Sequence, residues 1–485
     1  QTWGSWYLYS DQEFESEFSE TAGTLKSVVM NGARGTTTIR GPKDFTAEGS
    51  PEMSVEVAFE RLDDTSMKIE VQGQTIPLEV GEWSDFVRLS FQMNPLIKLI
   101  GTTRFKLMEM EPHWTIYQEP LNFDPHHLPP KVNISYPREY SGQLADRYGL
   151  RETLGWSIAT NPLKDEAIDY PTFLEDLRFT LENRRQVMFG ELERGDWDLF
   201  LGVFMFTDRM QHMMYRATDP EHPYYSEELA ERHGHETEWA YTEMDRIVGE
   251  IQDRFVDDDT LLMIISDHGF HSFRRGVNLN TWLVKNGYMH LKGQGLQDEE
   301  GNYQRLEDFL DPEDRFFKNV DWRRTQAYCL GLGSIFINLR GREAQGAVNP
   351  SEYEQVRDEI IAGLKALEDP QFPGQRVVVN VYKREEIFDG PQLAKSPDLF
   401  VGFDSGYRIS WQTSAGGIPP QVFEDNLNNW SGDHCSVAPS MTAGMFASPR
   451  GFARDTRSIM DVGPTALRAL GVQPLPDYEG VALQE

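Results

Sequence analysis

Cysteine is nearly absent. Cys329 and Cys435 are the two in 485 residues, and they match no metal-ligand spacing. Two buried thiols are the expectation, with a single disulfide as the alternative. Long apolar runs are also missing, and no stretch approaches the ~18 consecutive apolar residues of a membrane-spanning helix. The opening QTWGSWYLYS has neither a basic nor an apolar leader region, so no signal peptide is visible. Basic residues are outnumbered, 46 Lys+Arg against 78 Asp+Glu, for a formal net charge of −32. That balance argues against a nucleic-acid groove or a broad basic face for anionic membranes, and for a well-solvated acidic surface. Internal repeats and low-complexity tracts are lacking too. What remains is ordinary for a globular chain, 39% hydrophobic and 12% aromatic. Its length allows one large domain with an insertion, or two domains.

From Met53 to Tyr117 the chain reads as β-rich. Ser54–Phe59 and Met67–Val71 alternate with period two; Gln72-Gly73-Gln74 makes a turn, and Phe86–Phe91 and Arg104–Leu107 resume the alternation. Prolines 125, 129, 130 and 137 close this region. After about residue 150 the pattern becomes strands alternating with helices, which predicts an α/β parallel sheet. Asp198–Phe206 (DLFLGVFMF) and Thr260–Ile265 (TLLMII) read as strands covered on both faces. Met244, Ile247, Val248, Ile251 and Phe255 make one apolar helical stripe. Asp398–Phe403 predicts a further strand, and Pro464 suits the first turn of a helix after Asp461.

Both central strands end in an aspartate. The first runs into Thr207-Asp208-Arg209-Met210-Gln211-His212, the second into Ser266-Asp267-His268-Gly269-Phe270. Ligands of open parallel sheets sit beyond the carboxyl ends of strands, so the two motifs are expected to share a site. On a helix starting at Asp208, Asp208 and His212 project from one face, which suits two ligands of one ion. Asp267 and His268 are adjacent where a strand ends, and a turn there can splay them toward one ion. Ser431-Gly432-Asp433-His434 offers one more histidine. Each motif alone has a plainer reading, a carboxylate capping a helix or a histidine satisfied in the core. The three arriving in one order carry the case.

In that order the sequence resembles the type I phosphodiesterase/nucleotide pyrophosphatase branch of the alkaline phosphatase superfamily. There an Asp-x-x-x-His, an Asp-His-Gly and a later Gly-Asp/Thr-His supply the ligands of two zinc ions. TDRMQHMMYR with DPEHPYY, LLMIISDHGFHSFRRGVNLNTWL, and the closing DVGPTALRALGV and PDYEGVAL carry the same resemblance, from about residue 120 to the end. It implies that Asp208, His212 and His434 hold one zinc and Asp267 with His268 the other, manganese being the alternative. It implies a phosphate-ester substrate and an alkaline-phosphatase-like fold: a central, mostly parallel sheet flanked by helices, spanning 1–485, with a β-rich insertion at about 45–130. A periplasmic or secreted location follows from the family and the acidic surface. Two such ions ~4 Å apart clamp the attacking and leaving oxygens of an in-line displacement.

The resemblance also implies an N-terminal strand ending in aspartate, followed by a threonine or serine nucleophile that forms a covalent phospho-enzyme. Thr36, Thr37 and Thr38 stand in a glycine-flanked run, but no apolar strand ending in Asp precedes them. The nucleophile is therefore expected upstream of Gln1, on a separate N-terminal fragment or a further segment of the protein. An incomplete sequence and a non-catalytic surface or assembly protein are the alternatives. On the same site the rival reactions are a phosphomonoesterase, a phosphonate hydrolase, a manganese mutase with a serine nucleophile, and a sulfatase. His271 and Arg275 are candidates to touch a substrate phosphate, with a solvated loop as the alternative. Asn133-Ile134-Ser135 and Asn429-Trp430-Ser431 match the glycosylation acceptor pattern, and His126 and His127 are expected at the surface.

Overall fold

Period-two alternation has its expected consequence in the first third of the chain. A computed structural model describes residues 5–95, 97–293, 316–452 and 458–483. In it the alternating runs become the strands Glu52–Arg61, Ser66–Val71, Val87–Asn94 and Phe105–Glu109. Met67, Ile69 and Val71 are buried on one face while their neighbours are only half-buried. The turn at Gln72-Gly73 has both φ angles positive, +48° and +78°, and directly joins the paired residues Val71 and Gln74. Such a two-residue loop matches the twist of the strands it connects.

The chain divides into two compact units, Gln1–Met210 with Asp245–Ile251, and Gln211–Met244 with Gln252–Glu485. The first unit is strand-rich from Tyr7 to Phe123. A five-stranded antiparallel meander runs in sequence order from Met30–Asn31 to Gln74–Glu79. A second sheet places Tyr7–Ser10 between Thr115–Gln118 and Thr24–Ser27, the latter parallel to it. Their inner faces share one core that includes Ile39, Phe59, Ile69, Leu89, Phe105 and Trp114. Helices follow, the longest being Tyr170–Glu193, whose start is capped by Asp169 accepting from the Thr172 amide at 2.9 Å.

Among the described residues the second unit holds two four-stranded sheets, besides the two-stranded pair Ile264–Ile265 with Phe446–Ala447. The antiparallel sheet Ala327–Cys329, Ser334–Ile337, Leu399–Phe403, Val378–Lys383 shares a core with the helices Leu279–Lys285 and Tyr353–Lys365. The other sheet is built around His271–Val277. Gly406–Ile409 runs parallel on one side, and Phe423–Asp425 and Gly432–Asp433 pair with it antiparallel. The helices at Glu236–Phe255 and Val462–Ala469 fall where the sequence predicts them. Among the described residues no helix is long and apolar enough to cross a membrane.

The fold is mixed α/β, several sheets flanked by helices, consistent with the architecture the resemblance implies. Two local expectations differ. Most pairings between strands among the described residues are antiparallel; the parallel ones are Tyr7–Ser10 with Thr24–Ser27 and His271–Val277 with Gly406–Ile409, besides isolated bridges at Leu339 and Arg340. Asp198–Phe206 forms no regular strand, and Thr260–Ile265 does so only at Ile264–Ile265, antiparallel to Phe446–Ala447. The first run is extended in character: Leu199, Leu201, Val203 and Met205 are exposed while Phe206 is buried. Leu199–Phe204 exchanges no backbone hydrogen bond with any described residue. Without a neighbour for its N–H and C=O groups, an apolar run cannot complete a ladder.

Candidate functional site

The strand His271–Val277 is the platform of the site. Its first residues pair with the Gly-Asp of the third motif, His271 opposite Asp433 and Ser272 opposite Gly432. That register carries His434 to the end of the Asp-His-Gly turn. The helix Phe206–Met214 supplies His212 in its last turn and Asp208 in its first.

Close backbone approach makes this geometry, and glycine permits it. A Cβ on Gly432 would stand 2.4 Å from the Gln211 carbonyl oxygen and 2.5 Å from the Tyr215 ring. Only glycine lets this strand reach the helix, and its carbonyl accepts from His212 Nδ1 at 2.8 Å. Gly269 is under the same constraint, since a Cβ there would lie 2.5 Å from the Ala443 carbonyl oxygen.

Three of the predicted residues converge. The rings of His268 and His434 stack with centroids 3.6 Å apart and planes 10° apart, and His212 lies 5.2 Å from His434. Phe270 sets its edge against His212, 4.8 Å away, and Trp430 lies 3.8 Å from the other side of that ring. A carbonyl oxygen only accepts, so Nδ1–H of His212 donates to Gly432, and Nδ1–H of His268 donates to the Gly269 oxygen at 3.0 Å. Both rings thereby direct their Nε2 lone pairs elsewhere, the arrangement in which histidine binds a metal with its other nitrogen held by an outer partner. Asp267 is largely exposed beside His268, Oδ2 standing 3.6 Å from Nε2. Asp208 is only 16% exposed in its side chain and pairs with Arg209 at 2.6 Å. The imidazole set with a carboxylate at Asp267 is a donor set that suits zinc.

His271 and Arg275 lie in the buried strand and not in a solvated loop. Arg275 is 5% exposed, ion-paired with Asp369 at 2.6 Å and with Asp425, and bonded to Gln371. Its charge is already balanced, and it braces three segments. His271 donates from Nδ1 to the Ser272 oxygen at 2.9 Å, and its buried Nε2 has no hydrogen-bond partner among the described residues. Burial pushes the His271 pKa down. His222, which the sequence did not single out, uses both ring nitrogens, one on the Phe273 oxygen at 2.8 Å and one on the Tyr224 amide at 3.1 Å. Burial lowers its pKa to about 4, so it is a neutral structural histidine.

Sequence reasoning missed the residues that brace the third motif. Asp433 is fully buried and accepts from Trp430 Nε1 at 2.9 Å and from the backbone amides of His434 and Cys435 at 2.7 and 2.8 Å. Arg408, also buried, pairs with it at 2.7 Å and packs over Trp411 at 3.9 Å and Phe273 at 5.0 Å. Burial alone would raise the Asp433 pKa, but the Arg408 charge, with hydrogen bonds from Cys435 and Trp430, holds it well below the usual carboxylate range. Asp433 stood in view beside His434, whereas nothing in sequence ties Arg408 or Trp430 to it.

Both cysteines are free thiols, Cys329 buried and Cys435 half-buried; burial raises the Cys435 pKa to about 12. Asn429 is buried, so its acceptor pattern is enclosed in the fold, while Asn133 is exposed in a loop.

The sequence model of the family described as Type I phosphodiesterase / nucleotide pyrophosphatase matches residues 101–425. No curated protein and no solved structure matches the chain.

Proposed function

This chain belongs to the type I phosphodiesterase/nucleotide pyrophosphatase family, and we propose that it hydrolyses a phosphoric diester or nucleotide pyrophosphate at a two-zinc site. The ligands in this reading are Asp208, His212 and His434 for one ion, and Asp267 with His268 for the other. The observation that supports it most is the convergence of His212, His268 and His434, with two of the three Nδ1 atoms tied to backbone carbonyls. Zinc bound there supplies a Lewis acid and lowers the pKa of an attacking oxygen. The chain's own part is to hold His212 and His268 in fixed tautomers, to offer Asp208 and Asp267 as carboxylate ligands, and to pack Trp430 and Phe270 against His212. Two of its buried cations are engaged within the fold, Arg275 by Asp369 and Asp425, and Arg408 by Asp433. The attacking group, a threonine or serine in this reading, is assigned to no residue of the site.

Metal content per chain by elemental mass spectrometry tests the reading directly. About two zinc ions per chain are expected, with His212→Ala and His434→Ala each lowering the content. Hydrolysis of bis(p-nitrophenyl) phosphate faster than of p-nitrophenyl phosphate is expected from the metal-loaded protein that includes its nucleophile. Failure to bind zinc or manganese when either is supplied would sink the metallohydrolase reading and favour a non-catalytic scaffold.

A further inference from the structure

We propose that Asp433, locked to Arg408, is a positioning residue that aims His212 and His434 at metal without binding it. The inference rests on the reading of those histidines as ligands.

Asp433 looks at first like a ligand itself, since its oxygens lie close to donor atoms of His434 and Cys435. Its lone pairs say otherwise. A carboxylate offers about four acceptor sites; three hydrogen bonds and one buried ion pair already engage this one. Trp430 Nε1 and Arg408 Nε approach Oδ2, and the amides of His434 and Cys435 approach Oδ1. Both oxygens are engaged and the charge is already balanced by the Arg408 guanidinium, so the carboxylate is committed to its neighbours.

What those donors belong to decides the role. One is the backbone of His434, so the carboxylate sets where that imidazole leaves the chain. Another is the indole of Trp430, whose ring lies 3.8 Å from His212. Gly432, the residue before Asp433, accepts from His212 Nδ1. One side chain thus determines the seat of two of the three imidazoles. Arg408 fixes that side chain in turn, because it sits in the strand Gly406–Ile409 on the opposite edge of His271–Val277 and is clamped between Trp411 and Phe273. A buried ion pair gives little stability over apolar packing of equal volume, whereas it fixes direction well. Here that direction falls on the histidines.

The experiment compares zinc affinity, by competition with a chelator, in the parent chain, Asp433→Asn, Arg408→Met and Arg408→Lys, with near-ultraviolet circular dichroism confirming the folded state. Asp433→Asn is expected to weaken zinc binding about 10–100-fold, the usual effect of losing an outer partner, with unchanged metal content at saturation. Arg408→Met is expected to behave likewise, and Arg408→Lys to recover part of the loss. Parent-like affinity in folded Asp433→Asn overturns the proposal, and so does the loss of one metal per chain at saturation, which would make Asp433 a ligand. If Asp433→Asn does not fold, the two Arg408 variants decide between the same outcomes. If the parent binds no metal, the two-zinc reading fails by itself. Positioning is then read from the histidine side-chain ¹⁵N–¹H resonances, where Asp433→Asn shifts those of His212 and His434 or the proposal falls.

Discussion

Each unit of the chain buries an arginine among carboxylates, and the two centres have opposite balances of donors and acceptors. At Arg408 a single carboxylate, Asp433, receives three hydrogen bonds and the guanidinium's ion pair. At Arg104, in the first unit, Glu119, Glu152 and Asp176 crowd one guanidinium, with Glu119 Oε2 at 3.0 Å from Nε and Asp176 Oδ1 at 2.7 Å from Nη2. Their oxygens lie within 4.8 Å of one another. Phe179, Trp83 and Phe86 close over the guanidinium at 3.8, 4.6 and 5.3 Å. Burial, with the neighbouring carboxylates adding to it, lifts Glu119 and Glu152 above the usual range despite Arg104. Surplus donors keep a carboxylate ionised and let it aim what surrounds it. Surplus carboxylates demand a proton, so that centre answers to pH and aims nothing.

The largest test of the contrast is Arg104→Met. It leaves three buried carboxyls without their counter-charge, and a loss of about 3–5 kcal/mol is expected in chemical denaturation at neutral pH. The loss should shrink at pH 5, where the carboxyls can protonate. A variant as stable as the parent at pH 8 would erase the comparison.

Gly432→Ala comes next. The added methyl meets the Gln211 carbonyl, and a loss of about 1–3 kcal/mol is expected, together with reduced zinc content as His212 loses its acceptor. Unchanged metal content would mean that the close approach does not seat the histidine.

The pH dependence of the Arg104 centre is subtler. Glu119 and Glu152 have folded pKa values above their unfolded ones, so the native state binds more protons. Their contribution is fully present below the unfolded pKa and is lost as pH rises through the folded value. Relative to Glu152→Gln, the parent should therefore lose roughly 1 kcal/mol of stability between pH 5 and pH 8. Parallel stability profiles for the two proteins would show that Glu152 carries no shifted proton.

The smallest effect on stability is expected at Leu201→Lys, within about 0.5 kcal/mol because the side chain is 78% exposed. Its consequence lies in association. Leu199, Leu201, Val203 and Met205 present apolar side chains from a run whose backbone pairs with no strand among the described residues, a pattern prone to edge-to-edge pairing. The variant should aggregate less on heating, followed by light scattering.

Sequence pattern alone located the strands of the first unit, because Met67, Ile69 and Val71 alternate with polar residues on a half-buried sheet and that period has one structural solution. It also isolated His212, His268 and His434, since an Asp-x-x-x-His, an Asp-His-Gly and a later Gly-Asp-His arrive in one order along the chain. It could not show that His271–Val277 is a buried strand. HSFRRGV reads as polar, and only tertiary partners, Asp219 for Arg274 and Asp369 with Asp425 for Arg275, make its burial affordable. Nor could it foresee that Asp198–Phe206 lacks a ladder. Apolar content is a property of the run, whereas hydrogen bonding is a property of its neighbour. The same holds for Asp433. Its identity is local, but its engagement by Trp430, Arg408 and two amides arises where separate segments meet, and no residue spacing encodes that meeting.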